Sequence, residues 1–340
     1  GIKIVEAAHP VPDAAGAAAT AEMLALLGGL GEGDFVLALI SGGASALLVA
    51  PFEGVSLAEK QAVNAALLAC GAPIAQMNTV RKHLSRVKGG QLAAAAYPAR
   101  VLALMISDVP GDDMAFIGSG PTVGDGSTPD QALAILAQWG AKVPAAALDA
   151  LSRPSGVIPP TDPRLSRTTN RIYAAPAQSL AAAQALAKAE GLRVILLGDA
   201  LEGEARDVAA TLAQTALQAR SDAPVLLLSG GELTVTKRGD GIGGPNGEFC
   251  LALALALQGA QGIHAIACDT DGVDGAAEVA GALIGPNTLA KARALGVDPA
   301  LALARNDAHS FFAAIGDQVV TGPTLTNVND FRAILVLPQA

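Results

Sequence analysis

Short apolar runs closed by polar turns recur along this chain, with Ala-rich stretches between them. Residues 36–40, 101–106, 193–197, 225–228, 233–237, 263–268 and 333–337 have the length and composition of buried strands, with a shorter one at 319–320. The intervening stretches predict helices over 14–27, 129–139, 180–190, 202–220, 248–258, 287–295 and 308–315. A further helix starts at the capping box Ser56-Leu57-Ala58-Glu59 and runs to about Cys70. Residues 1–12 predict a short strand and then an ordered loop holding His9, Pro10 and Pro12. Residues 143–171, rich in Pro and Ser, predict a long surface excursion. The repeated order of strand, polar loop and helix predicts parallel α/β sheets, whose ligands gather at the carboxyl ends of the strands.

The polar loops at those ends hold the candidate chemistry. The strand at 36–40 stops on Ser41-Gly42-Gly43-Ala44-Ser45, and the one at 225–228 on Ser229-Gly230-Gly231-Glu232. Glycines turn sharply and leave N–H groups bare for an anion, and a helix starting near Ser45 adds its dipole. The strand at 101–106 runs into Asp108, Asp112 and Asp113, which suit Mg²⁺ binding or proton transfer from a hydroxyl, with turn capping as the competing use. Residues 78–91 form the basic stretch, with Arg81, Lys82, His83, Arg86 and Lys88. It reads either as a solvated helix face or as a clamp for an anionic substrate or nucleotide phosphates. Asp269, Asp271 and Asp274 make a second carboxylate cluster, open to metal or hydroxyl contact and equally to turn chemistry. Gly239 to Gly244 match G-x-G-x-x-G, but no acidic residue closes a second strand at the dinucleotide spacing. Of the histidines, His264 falls in a strand as a core residue, whereas His9 and His83 sit among the candidate loops.

Composition narrows the choice. The chain's 340 residues suggest two domains at about 150 residues each. With 51% hydrophobic but only 3% aromatic residues, its cores are built from Ala, Val, Leu and Ile. A net charge of −9 leaves no basic surplus for nucleic acid. No apolar run approaches a membrane span, and Cys70, Cys250 and Cys268 are scattered, as in reduced thiols of a cytoplasmic protein. The best boundary lies at 221–224, giving domains of 1–221 and 222–340.

Taken together, AAHPVPD, LISGGASALL, NTVRKHLSRVKGGQLA, SDVPGDD, GSGPTVGD, LLGDALEGEAR, LSGGE, DTDGVDG, NDAHSFF and TGPTLTNVND resemble the glycerate 2-kinases. That group is also called the MOFRL family, and many members carry the older label hydroxypyruvate reductase. The resemblance spans nearly the whole chain. It implies a Rossmann-like parallel sheet domain plus a smaller α/β MOFRL-type domain, with the active site in the cleft between them. It also implies ATP- and Mg²⁺-dependent phosphorylation of D-glycerate to 2-phosphoglycerate; the oligomeric state is left open, a homodimer among the alternatives.

On that basis Asp108, Arg81 and Lys82 are the expected catalytic residues. Ser41, Gly42, Gly43, Ser45, Lys88, Ser229, Gly230, Gly231, Glu232, Asn246 and Asn327 would bind phosphate or substrate, and Asp112 and Asp271 would hold Mg²⁺. Two departures stand out. Family members begin with a further segment bearing a lysine, which is not seen here, and they carry Arg-Asn-Gln-Glu where this chain has Pro245-Asn246-Gly247-Glu248. The competing readings are an NAD(P)H-dependent hydroxypyruvate reductase using the Gly239 loop, and a non-catalytic metabolite-binding fragment.

Overall fold

Capping chemistry sets the first elements of the chain. In the computed structural model, which describes residues 2–109, 111–275 and 277–338, Asp13 accepts the Gly16 N–H and opens α1 (Ala14–Leu27). Then follow β1 (Phe35–Ile40), the single turn α2 (Ala44–Leu47) and α3 (Leu57–Ala69), opened by the expected Ser56–Glu59 capping box. The first unit continues with α4 (Ile74–His83), α5 (Gln91–Ala96), β2 (Arg100–Ile106), α6 (Pro129–Gln138), α7 (Ala145–Leu151) and β3 (Thr168–Ala174). Its sheet has the order β1-β2-β3, with β1 and β2 parallel and Ile40 opposite Met105. Both strands therefore end side by side, bringing the Ser41 and Asp108 loops to one edge.

Two expectations for this unit fail. Residues 2–8 form no strand, and Ile2 and Ile4 are exposed: an apolar stretch becomes a strand only where a neighbour accepts its hydrogen bonds. Residues 143–171 are not a surface excursion. Ala147, Ala150 and Leu151 on α7 are buried against α3 and α6, and Thr168–Ala174 is the third strand. Apolar residues at helical spacing outweigh the flanking prolines.

The second unit comprises α8 (Pro176–Ala189), β4 (Arg193–Leu196), β5 (Leu201–Glu204), α9 (Ala205–Gln218), β6 (Val225–Thr234) and α10 (Pro245–Leu257). After these come β7 (Ile263–Asp269), β8 (Gly281–Ile284), α11 (Thr288–Ala294), α12 (Pro299–Ala304), α13 (Ala308–Ile315), β9 (Gln318–Val319) and β10 (Asp330–Val336). The sheet order is β4-β6-β10-β7-β8-β9, with β5 also paired to β6. Helix α10 is apolar nearly all round, and Phe249, Cys250, Leu251 and Leu253 are fully buried, so it forms the heart of the core beside the sheet. The Phe311 and Phe312 rings meet edge to face at 5.1 Å and close that core.

Three corrections apply here. The sheet is mixed rather than parallel, because the final strand β10 inserts between β6 and β7 and runs antiparallel to both. The units divide at Tyr173 and Ala174 rather than at 221, because β4 and β5 pair with β6 and so belong to the second sheet. Residues 202–204 start no helix: they are β5, and α9 begins only at Ala205. Among the described residues no helix is long and apolar enough to cross a membrane.

Candidate active site

In the first unit, β1 ends at Ile40 and the chain turns at once. The N–H groups of Ala44 and Ser45 bond back to Ser41 and Gly42 carbonyls at 3.0 and 3.1 Å, making the single turn of α2. A Cβ on Gly42 would fall on the Asp108 carboxylate, so a larger residue there would have to push that side chain aside. Asp108 thus lies directly against the backbone of the glycine turn. Burial raises its carboxyl above the ordinary range, while a hydrogen bond to its own backbone and the nearby His9 oppose the shift. Ser45 Oγ lies 3.4 Å from Ser119 Oγ, which donates to Asn78 Oδ1 at 3.1 Å. Ser119 is fully buried at a φ of +64°, an uncommon conformation for a side chain and one that clusters at functional sites.

The basic stretch is neither a solvated face nor an open clamp. Lys82 is buried, and its Nζ donates to Asp125 Oδ2 at 2.5 Å while lying 5.3 Å from the Phe116 ring centre. Lys88 is buried too, and its Nζ donates to the Ala44 and Gly118 carbonyls at 3.3 and 3.1 Å, tying the Ser41–Ser45 turn to the Gly118–Gly120 turn. Desolvation, with Lys60 and Arg81 nearby, drives the Lys88 amine well below its ordinary value. Lys60 donates to the Leu84 carbonyl at 3.1 Å, and burial, then Arg81, bring it to about 7. His83 places Nδ1 2.6 Å from Ser155 Oγ and Nε2 3.0 Å from Ser127 Oγ; burial lowers it to about 4 against the pull of Asp125. Arg81 donates through Nε to Asn64 Oδ1 at 3.1 Å. Arg86 is exposed.

The carboxylates after β2 divide their work. Asp113 Oδ1 accepts the Ala115 N–H at 2.9 Å, which is turn capping. Asp112 has a φ of +55°, and its Oδ1 is buried without a hydrogen-bond partner among the described residues.

In the second unit, the Ser229–Glu232 segment is not a loop. Strand β6 runs straight through it, with Ser229, Gly230 and Gly231 opposite Arg332, Phe331 and Asp330 of β10. Gly231, at a φ of +104°, is opposite Leu201 of β5, whose backbone a Cβ would strike. The Gly230 N–H bonds the Gly198 carbonyl at 2.9 Å. Pairing with β10 and β5 takes up the backbone of Ser229, Gly230, Gly231 and Glu232, so these residues form a strand rather than the expected phosphate cradle.

What the second unit builds there is a buried polar network. Asp274 accepts the Asn246 and Gly247 N–H groups at 2.9 and 2.7 Å, capping α10. Asn246 Nδ2 donates to Asp330 Oδ1 at 2.6 Å, and Asp330 Oδ2 accepts Arg332 Nη1 at 2.8 Å. Arg332 Nη2 closes the chain on the Gly230 carbonyl at 2.5 Å. His309 Nε2 lies 2.7 Å from the Asp274 carbonyl. Asn246 is thus an anchor within the network, with its Oδ1 left without a partner among the described residues. Glu248 is held by Arg206 Nε at 2.6 Å and by the Asn306 amide. Asp271 and Asn327 are brought together: Asn327 Nδ2 donates to Asp271 Oδ2 at 3.4 Å, and Asp271 Oδ1 accepts the Val273 N–H at 2.7 Å. Burial raises Asp269 to about 7.

The glycines of the Gly239 loop have a packing reason. Cβ atoms on Gly239 and Gly241 would strike Arg305 and Asp307, and one on Gly244 would strike Asp274. This removes the main support for a dinucleotide there. His264 is exposed rather than a core residue, because its side of β7 faces out of the hydrophobic cluster.

Sequence reasoning passed over Asp125, Asn78, Ser119, Asp330, Arg332 and His309 as functional or network residues. Most lie inside motifs already singled out, but their partners lie far off in the chain: Lys82 to Asp125 spans 43 residues and Asn246 to Asp330 spans 84.

Comparison with known proteins gives the family. Residues 1–152 match a domain of unknown function, DUF4147, and residues 225–330 match the MOFRL family. An Agrobacterium vitis protein provisionally named hydroxypyruvate reductase is 50% identical over 98% of this chain and 88% of its own length. The D-glycerate 2-kinase of Thermotoga maritima is 38% identical over 98% of this chain and 80% of its own. A crystal structure of the Thermotoga maritima glycerate kinase superposes with a TM-score of 0.88 at 37% identity, over 98% of this chain and 80% of that one. A solved Pyrococcus horikoshii protein gives a TM-score of 0.81 at 34% identity, over 99% and 79%.

Proposed function

Because the chain belongs to the glycerate kinase family that carries DUF4147 and MOFRL domains, we propose that it phosphorylates the 2-hydroxyl of D-glycerate with ATP and Mg²⁺, giving 2-phosphoglycerate. The observation that carries this reading is the Asp108 carboxylate packed on the Gly42 turn at the shared edge of β1 and β2. A half-buried carboxylate with a raised pKa suits accepting the proton of a hydroxyl as it attacks phosphorus. The Ala44 and Ser45 N–H groups close the turn itself, so the Ser41–Gly43 backbone and the Ser45 hydroxyl are the groups that would meet carboxylate or phosphate oxygens.

Cation roles follow from the contacts. Lys88 ties the glycine turn to the Gly118–Gly120 turn, Lys82 holds the Asp125 loop, and Arg81 donates through Nε to Asn64, so each cation acts first on the protein's own groups. Among the described residues no group of three or more His, Cys, Asp and Glu side chains is arranged to hold a metal ion. Mg²⁺ in kinase sites is commonly held by nucleotide phosphates and water with one or two carboxylates. Asp112, with its unpartnered buried Oδ1, fits that part, whereas both Asp271 oxygens are occupied. Bound there, Mg²⁺ would offset charge on the phosphates.

Phosphorus NMR of the protein with D-glycerate, ATP and Mg²⁺ tests the reading. It predicts a 2-phosphoglycerate signal. A 3-phosphoglycerate signal would overturn the regiochemistry alone, and absence of any phosphoglycerate would overturn the kinase assignment.

A further inference from the structure

The loop that carries His9 is held by two side chains, Asp13 and Gln61. Asp13 Oδ1 accepts the Gly16 N–H at 2.9 Å, and its Oδ2 accepts the Ala8 N–H at 3.1 Å, so one carboxylate both starts α1 and fixes the residue before His9. Gln61 Nε2 on α3 donates to the Pro12 carbonyl at 2.6 Å, and Pro12 is buried. The ring between these anchors is itself exposed. Its Cδ2 lies 3.8 Å from where a Cβ on Gly43 would stand, while the neighbouring Gly42 backs onto the Asp108 carboxylate. His9 and Asp108 therefore flank the same pair of glycines. The carboxylate is half-buried, and the imidazole lies toward solvent.

The proposed reaction creates a need that this arrangement meets. Each turnover breaks the substrate O–H bond, forms the new O–P bond and breaks the bond between the β- and γ-phosphates of ATP, releasing one proton. Asp108 takes that proton on the inner side of the turn, and a half-buried carboxyl must lose it again before the next cycle. An imidazole ordinarily titrates near neutrality and takes up and gives up protons at little cost. We propose that His9 is the proton exit of this site, passing the proton from Asp108 to solvent. This rests on the kinase reading above. It explains why a loop with so little regular structure is anchored so firmly: the anchors fix an imidazole at the mouth of the glycine turn.

Steady-state phosphoryl transfer to D-glycerate by the whole chain and by His9→Ala, with and without added imidazole, tests it, with His264→Gln as control. His264 is exposed in the other unit, and its replacement should leave turnover unchanged. Loss of a proton relay should lower His9→Ala turnover about 10- to 100-fold, with KM for ATP unchanged. Imidazole should restore much of the loss in proportion to its unprotonated fraction. A His9→Ala enzyme as fast as the parent overturns the relay. So does a slow one that imidazole does not rescue, which would make His9 a purely structural residue. If the parent chain itself makes no phosphoglycerate, the kinase reading fails first and the relay with it.

Discussion

The same tripeptide, Ser-Gly-Gly, follows an apolar run in each unit and ends in opposite structures. At Ser41-Gly42-Gly43 the strand stops and the chain turns into α2: among the described residues its pairing with β2 ends at Ile40, and the Asp108 carboxylate occupies the space beside Gly42. At Ser229-Gly230-Gly231 the strand continues, because β5 lies on one side and β10 on the other, and both claim the backbone groups. Glycine serves a different purpose in each. One leaves room for the Asp108 carboxylate. The other, at a φ of +104°, lets three strands meet. Local sequence offers a turn, and the neighbouring strands decide whether it is taken.

The largest effect that would sharpen this contrast comes from Gly231→Ala. The new Cβ meets the Leu201 backbone at a φ that L residues avoid, so a loss of about 3 kcal/mol or more is expected in denaturant unfolding. Gly42→Ala should do the reverse. It displaces Asp108 and lowers turnover about 100-fold, equivalent to about 2.7 kcal/mol, with much less change in stability than at Gly231. If the two variants lose stability equally, the distinction between a structural and a catalytic glycine fails.

Lys88→Met takes its donor from the Gly118 carbonyl, at about 1–3 kcal/mol for a buried unsatisfied group, while the Ala44 carbonyl keeps the Leu48 N–H. It should also raise KM for D-glycerate, because the Ser41–Ser45 turn loses its support. Unchanged melting and KM would remove Lys88 from the account of that turn.

The smallest effect concerns pH. Asp269 is raised to about 7 by burial, so between about pH 4 and 7 the folded protein holds a proton there that the unfolded chain has released. Its contribution to stability is therefore greatest at low pH and is lost as pH rises through 7. Asp269→Asn should melt with less decline from pH 5 to pH 8 than the parent. An identical decline in both would show that Asp269 titrates normally.

Much of the fold was legible because its signals are local. The Ser56–Glu59 capping box, the apolar runs of β1, β2 and β7 and the Ala- and Leu-rich stretch of α10 each sit within one short window. The insertion of β10 between β6 and β7, and the placing of β4 and β5 in the second unit, depend on pairings across long stretches of chain, which composition does not encode. The candidate site divides in the same way. Asp108 and the Ser41 turn were visible as a polar cluster after a strand. The commitment of Lys82 to Asp125 and of Lys88 to two carbonyls was not, because a lysine that is buried and paired reads in sequence like one that waits for a ligand.

The most direct test is the turnover of Asp108→Asn with D-glycerate and ATP, measured beside its melting curve. The account predicts a fall of roughly 10²- to 10⁴-fold with the melting temperature preserved, as for the loss of a general base from an intact fold. Turnover close to that of the parent chain would contradict it and take Asp108, with the glycine turn beneath it, out of the reaction.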